Sequence, residues 1–235
     1  MSSTDDKLSH GSRTYLRRRG RTTPAQARAL AELAARYCLG PEGGAIDPED
    51  VYGRDAPFGL EIGFGMGHAL IDWALDRPDW NLLGVEIYQP GVGSALLGLE
   101  RHGIGNVRLI AAPVEPVVEK RLVGACLDEI RVFFPDPWPK KRHHKRRLVQ
   151  TSFAALLAER LKPGGLMWLA TDWDDYGRWM IEVLDAEPLL EREVVGKAEP
   201  RGETAAASSR PPTRFEDRGR RLGHAVWDVR YTRKR

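Results

Sequence analysis

From Phe58 onward, short apolar runs alternate with stretches in which apolar residues recur at helical spacing. The runs are FGLEIG, NLLGVEI, NVRLIA, EIRVFFP and GLMWLAT. Strands separated by helices predict repeated β-α units around a mostly parallel sheet, because a parallel neighbour must be reached by a crossover connection. Between the last two runs, RRLVQTSFAALLAERL sets Phe153, Leu157 and Leu161 on one helical face and is closed by Lys162-Pro163-Gly164-Gly165. After Tyr176 the pattern predicts a helix at RWMIEVLDA, a strand at EREVVG, a low-complexity loop around ETAAASSRPPT and a last strand near HAVWDVRYT.

Upstream of the core, Thr23-Pro24 offers an N-cap with proline at the first helical position. AQARALAELAARY continues at helical spacing until LGPEGGAIDPED breaks it. Residues 1–22 are polar, rich in Ser and Arg, and without period, which predicts a basic, disordered arm. The expected organisation is that arm followed by a single domain, 23–235, with an N-terminal helix and linker at 23–50 and the core fold at 58–235.

With 235 residues, 42% of them hydrophobic, the chain can bury one sizeable core. A net charge of +3 conceals clusters of Lys and Arg near the N-terminus, at 140–147 and at the C-terminus. Such clusters suit a polyanionic partner, although any one of them also serves as a solvated face. Cys38 and Cys126 are too few for a disulfide framework and lack metal-ligand spacing, which predicts inert thiols in a reducing compartment and no metal. The first twenty residues hold no apolar stretch of signal-peptide kind, and no run reaches transmembrane length. The expectation is a cytoplasmic protein that does not enter a membrane.

LEIGFGMGHAL places Gly63, Gly65 and Gly67 between a strand and a helix. Glycine there lets the backbone turn sharply and lets a ligand approach the main chain, and the same triplet can also be a purely structural turn. A dinucleotide site wants G-x-G-x-x-G, with a pyrophosphate resting on the helix N-terminus. Here the spacing is G-x-G-x-G, with Glu61 just before it. That carboxylate repels a pyrophosphate and attracts a cation such as an ammonium or a sulfonium. Glu86, closing the second strand, stands where an acidic residue accepts hydrogen bonds from ribose hydroxyls. Together they favour S-adenosylmethionine over a nicotinamide dinucleotide, against the plainer reading of two solvated acids at strand ends.

The stretch FFPDPWPKKRHHKRRL, Phe133 to Leu148, begins as a buried strand and ends as a basic run. Asp136 falls just past the fourth strand, where ligands of a doubly wound sheet bind. Prolines on both sides of Trp138 stiffen the loop, so that it can hold a carboxylate and an aromatic surface in place. Trp138 either stacks on a base or belongs to the core. Lys140 to Arg147 supply six Lys/Arg and two His with no acid among them, which suits phosphate contacts, or else a solvated helix start. His143 and His144 are adjacent rather than spaced as metal ligands and belong to the basic face. Asp172, in TDWDDY, puts a second carboxylate at the same sheet edge.

In this order, LEIGFGMG, GVEIY, FFPDPWPKKRHHKRRL, LKPGG, TDWDDY and TRFEDRGRRLGHAVWDVRY resemble the bacterial tRNA (guanine-N7)-methyltransferases, from about Phe58 to Thr232. PDPW followed by K-x-x-H-x-K-R-R is specific; the glycine loop is generic. The resemblance implies an α/β, Rossmann-like class I methyltransferase fold: a seven-stranded, mostly parallel sheet with an antiparallel last strand and helices on both faces. It implies methyl transfer from S-adenosyl-L-methionine to N7 of a guanine at position 46 in the tRNA variable loop, by a monomer or homodimer. It assigns Asp136 to catalysis; Glu61, Gly63, Gly65, Gly67, Glu86 and Asp136 to the cofactor; and Lys140, Asp172, Thr213, Arg214, Phe215 and Glu216 to the substrate. One departure stands out. Where the family commonly has Asp-Ala after the third strand, contacting adenine, this chain reads AAPVEPV, with Pro113 in the aspartate's place; Glu115 or main-chain groups are the alternatives. The competing readings are a methyltransferase for another RNA or a small molecule, and a non-catalytic RNA-binding module. The basic run and PDPW weigh against a small-molecule substrate; Glu61, Glu86, Asp136 and Asp172 weigh against loss of catalysis.

Overall fold

A computed structural model of the chain describes residues 20–198 and 225–235. The predicted N-terminal cap forms as a reciprocal pair: the Thr23 hydroxyl accepts from the Gln26 amide (3.2 Å), and the Gln26 side-chain oxygen accepts from the Thr23 amide (2.9 Å). The helix that follows is shorter than its pattern suggests, ending as α1, Pro24–Glu32, before a turn at Leu33 and a second piece, α2, Ala34–Tyr37. The stretch read as a breaker holds α3, Pro48–Tyr52, capped by the Asp47 carboxylate (2.9 Å to the Glu49 amide) and ended by Gly53 in the left-handed region.

Seven strands follow: β1 Phe58–Ile62, β2 Asn81–Val85, β3 Val107–Ile110, β4 Leu127–Phe133, β5 Leu161–Thr171, β6 Leu190–Ala198 and β7 Val226–Arg233. They form one sheet in the order β3-β2-β1-β4-β5-β7-β6. The first five pair in parallel, and β7 runs antiparallel to both β5 and β6. The crossovers are α4 His68–Asp76, α5 Gln89–Arg101, α6 Val114–Lys120, α7 Thr151–Arg160 and α8 Asp174–Asp185. The expected fold is thus present, with every predicted strand in it. Lys162-Pro163-Gly164-Gly165 ends α7 as expected but is itself the irregular start of β5. Gly164 lies at φ +82°, and a side chain on Gly165 would meet the carbonyls of Leu127 and Asp128 at 3.1 Å.

Alternation along the strands sorts the two faces of the sheet. Phe58, Leu60 and Ile62 of β1, Ile130 and Val132 of β4, and Met167 and Leu169 of β5 join Val117, Phe153, Leu157, Met180 and Leu184 in one core beneath α6, α7 and α8. The opposite face takes α1, α4 and α5, with Trp73, Leu96 and Leu99 at its centre. Between β1 and β7 this second face carries an in-register row, Glu61, Arg131, Trp168 and Arg230. The Arg131 guanidinium lies 3.7 Å from the Trp73 ring centre and 5.2 Å from that of Trp168, and its Nε donates to Glu129 at 2.6 Å. Reading EIRVFFP simply as a buried strand gives no notice of this arginine.

Glycine is required where α5 backs onto the loop after β1. A Cβ on Gly91 would stand 2.1 Å from the Gly65 carbonyl oxygen, and one on Gly67 would stand 2.7 Å from the Ala95 Cβ. Gly91→Ala is expected to displace the loop and lower stability by about 1–3 kcal/mol, measured as a shift of the urea midpoint; an unshifted midpoint would show that the loop gives way freely.

Candidate active site

Parallel pairing brings the ends of β2, β1, β4 and β5 to one edge, and the candidate residues follow those ends directly. Gly63 comes after β1, Glu86 after β2, Asp136 three residues after β4 and Asp172 one residue after β5. Gly63, Gly65 and Gly67 take φ of +71°, +55° and +86°, a region closed to most side chains. A Cβ on Gly63 or Gly65 would meet nothing within 4 Å, so the loop presents bare backbone to open space.

Glu86 shapes this loop. One carboxylate oxygen accepts from the Gly65 amide (2.8 Å), and the other accepts from the amides of Ile87 (2.7 Å) and Tyr88 (2.8 Å). A carboxylate has about four acceptor positions, so after three amides roughly one remains for a ligand hydroxyl. Glu61 differs. It is buried, and its Oε2 has no hydrogen-bond partner. Burial pushes its pKa up to about 8, against the pull of Arg131, with Asp72 and Glu86 adding to the rise. Beyond β3, exposed Pro113 precedes α6, and half-buried Glu115 stands in its first turn, its pKa raised by burial.

The turn that carries Asp136 is bounded by two unusual residues. Phe134 has φ +50° and Trp138 has φ +43°, both non-glycine and both followed by proline. Such conformations cost on the order of 1–3 kcal/mol each and persist only when their surroundings fix them. Asp136 is exposed at the tip, between them. Trp138 is not a core residue: it is half-buried, set edge-on to His143 (5.9 Å) and covered by the Arg146 guanidinium (5.1 Å). Lys140, exposed, opens a 3₁₀ turn, Lys141–Arg146, in which Lys141, Arg142 and Lys145 are exposed as well. Partial burial, and then Arg146, Arg142, Lys140 and Lys145, hold the His143 pKa down, so this histidine adds little charge at neutral pH.

Arg147 departs from the phosphate-binding role that the basic run predicts. Its side chain is only 1% exposed, its Nε donates to the Pro137 carbonyl (3.0 Å), and its Nη2 donates to Asp175. That hydrogen bond first, and the charge behind it, hold Asp175 below the usual carboxylate range. Desolvation explains the difference from the rest of the run: a guanidinium enclosed by Tyr176 (4.9 Å) and Trp179 (5.5 Å) is out of reach of a backbone phosphate.

Asp172, half-buried, borders an open cleft of about 440 Å³ with Trp173, Asp174, Asp175, Lys197 and Ala225. Asp174 is engaged there by Lys197 (3.1 Å), Arg178 (3.0 Å) and the Trp227 indole (3.1 Å). Thr213, Arg214, Phe215 and Glu216 lie outside the described residues, as does the predicted arm up to residue 19. The strands flanking the 199–224 segment meet at the site's edge, where Ala198 pairs with Val226 and Thr171 with Trp227. Among the described residues no group of three or more His, Cys, Asp or Glu converges to hold a metal, and no helix is long and apolar enough to cross a membrane.

Known proteins resemble this chain in sequence and in fold. A family model described as "Putative methyltransferase" matches residues 55–229. A tRNA (guanine-N(7)-)-methyltransferase of Acidovorax sp. (strain JS42) is 48% identical over 224 residues, 95% of this chain and 87% of its own length. The protein of that name from Halorhodospira halophila is 46% identical over 220 residues, 93% and 94% of the two chains. Among solved structures, the 16S rRNA methyltransferase KamB superposes with a TM-score of 0.57 at 15% identity, covering 82% of this chain and 96% of its own. A variant of the 16S rRNA (adenine(1408)-N(1))-methyltransferase of Catenulisporales acidiphilia gives a TM-score of 0.53 at 14% identity, with 83% and 97% covered. At such identities the structures speak for the fold alone, whereas sequence identity over nearly the whole length speaks for kinship: the chain belongs to the tRNA (guanine-N7)-methyltransferase family.

Proposed function

We propose that this protein transfers a methyl group from S-adenosyl-L-methionine to N7 of a guanine in the tRNA variable loop, at position 46, leaving 7-methylguanosine. The observation that carries the reading is the convergence of the glycine loop, Glu61 and Glu86 with Asp136 and Asp172 at one sheet edge, in a chain of this family. The donor set fits the cofactor. Bare backbone at Gly63 and Gly65 admits a close ligand, Glu86 keeps about one acceptor position for a ribose hydroxyl, and the unpartnered Glu61 oxygen suits an ammonium. When bound, S-adenosylmethionine supplies an electrophilic methyl on a sulfonium.

Guanine N7 carries an in-plane lone pair and no proton, so its attack needs no general base. The purine would become cationic as the carbon–nitrogen bond forms and the methyl's bond to sulfur breaks, the sulfur leaving as a neutral thioether. Asp136 stabilises that charge, or accepts from the N1–H and amino group, and the turn around it supplies alignment. Asp172 and Lys140 hold the substrate from the neighbouring strand end and from the start of the basic turn. Thr213, Arg214, Phe215 and Glu216 complete the guanine contacts in this reading, supported by the flanking strands that meet at the same edge. Lys140, Lys141, Arg142 and Lys145 face solvent and take the RNA phosphates.

Cofactor binding is coupled to a proton. Below the ordinary carboxyl value of 4.5 Glu61 is protonated in folded and unfolded chains alike, and between 4.5 and about 8 only the folded, unliganded protein keeps the proton. The unfolded state then binds fewer protons, so stability falls as pH rises through that window and levels off above it. Glu61 would give up that proton to solvent on pairing with the cofactor's ammonium.

The decisive assay is transfer of labelled methyl to unmodified bulk tRNA with nucleoside analysis of the product; a 7-methylguanosine peak from the variable loop is expected, and unlabelled tRNA overturns the reading. Asp136→Ala is expected to keep the wild-type melting curve and to lose on the order of 10²-fold in turnover. Double neutralisation of Arg142 and Lys145 to Gln is expected to lower the slope of log affinity against log salt by about one for each phosphate no longer neutralised. Relative to Glu61→Gln, the unliganded wild type is expected to lose stability steadily between pH 4.5 and about 8, and to release a proton on binding cofactor near pH 7, read by calorimetry in buffers of different ionisation enthalpy. Parallel stability curves for the two proteins would count against the buried acid.

A further inference from the structure

Arg147 joins the two carboxylate-bearing segments of the site. Its Nε donates to the carbonyl of Pro137, the residue after Asp136, at 3.0 Å. Its Nη2 donates to Asp175, the second residue of α8 and three residues beyond Asp172. The flat guanidinium lies against Tyr176 and Trp179, and both of these bond the same stretch of chain: the Tyr176 hydroxyl accepts from the Val149 amide (3.1 Å), and the Trp179 indole donates to the Val149 carbonyl (2.7 Å). Gln150 secures the run from the other side by donating to the carbonyls of His144 (2.9 Å) and Arg147 (3.1 Å). The Asp136 turn holds left-handed backbone at Phe134 and Trp138, which needs an anchor, and the Pro137 carbonyl is where Arg147 supplies one.

We infer that Arg147 is a positioning residue, which fixes Asp136 and Asp172 relative to one another and takes no part in binding RNA phosphate. The inference rests on the reading of those two carboxylates as the substrate site. A planar fork reaches a carbonyl and a carboxylate in different directions while packing against two aromatic rings. An ammonium offers a point charge without that shape, so lysine is not a conservative replacement here.

The experiment compares wild type with Arg147→Lys, with Asp175→Asn and with both together, and sets Arg147→Gln beside Lys145→Gln, the reference for a removed phosphate partner. Steady-state methyl transfer to tRNA at saturating S-adenosylmethionine gives kcat and KM, binding titrations give the salt slope, and amide exchange reports on residues 134–146. Arg147→Lys is expected to lower kcat on the order of 10²-fold through misplacement, to keep the wild-type salt slope, and to speed exchange in that segment at least tenfold. Asp175→Asn moves kcat and exchange in the same direction, and the double variant is no worse than Arg147→Lys alone, since both break one connection. Arg147→Gln, which removes the charge, is expected to keep the wild-type salt slope; wild-type kcat in it with a slope reduced as in Lys145→Gln would return Arg147 to the phosphate-binding set. Should Arg147→Lys fail to fold, Asp175→Asn, whose side chain is 61% exposed, carries the same test, and wild-type kcat and exchange in it would overturn the inference. If the wild type labels no tRNA, the functional reading fails by itself, and amide exchange alone decides the clamp: wild-type rates in residues 134–146 of Arg147→Lys overturn it.

Discussion

Parallel pairing of β2, β1, β4 and β5 is the constraint on which the rest depends. A strand covered on both faces has little room for polar side chains along its length, so chemistry is displaced to the loops that leave its carboxyl end. The pairings Ile62 with Val85, Val132 with Ile62 and Phe133 with Ala170 place those four exits side by side. A loop at such an edge still has to be stiff. Glu86 provides this for the glycine loop through three backbone amides, and α5 closes the loop from behind by bringing Gly91 against the Gly65 carbonyl.

One face of the sheet breaks the apolar rule. Glu61, Arg131, Trp168 and Arg230 sit in register across four strands, with Trp73 over Arg131. Removing charges from water is costly, and here the cost is met by hydrogen bonds and aromatic faces: Arg131 to Glu129, and the Trp168 indole to Asp228 at 2.5 Å. Glu61 gains less than its neighbours, for Arg131 pulls its proton off less strongly than burial holds it on. A carboxyl left in that condition is suited to a positively charged ligand, which would supply the missing partner.

Period and turn chemistry made most of the fold legible. The strand runs, the Thr23-Pro24 cap, the glycine loop and the carboxylates at strand ends all follow from residue type and spacing. What stayed hidden depended on three-dimensional surroundings. The break at Leu33 falls inside an unbroken helical pattern, and Lys162-Pro163-Gly164-Gly165 reads as a stop although its backbone goes on into β5. Arg147 is indistinguishable in sequence from Arg142 or Arg146; only the aromatic side chains of Tyr176 and Trp179, about thirty residues away, make it a buried group. The prolines announced a rigid turn around Asp136, but the left-handed backbone falls on the residues before two of them, Phe134 and Trp138, where steric rules would not place it.

The reversal of the last strand carries the residues after β7 away from the edge that holds Asp136 and Asp172. Because β7 runs against β5, Arg233 finishes opposite Leu190, Lys234 bonds the Leu189 carbonyl at 2.9 Å, and Arg235 emerges at the amino ends of the parallel strands. A surface tether or a fused partner joined there stands on the far side of the sheet from Asp136 and Asp172. An immobilised form of the protein would then leave the edge that carries Asp136 and Asp172 open to solution, with the attachment point at the opposite ends of the strands.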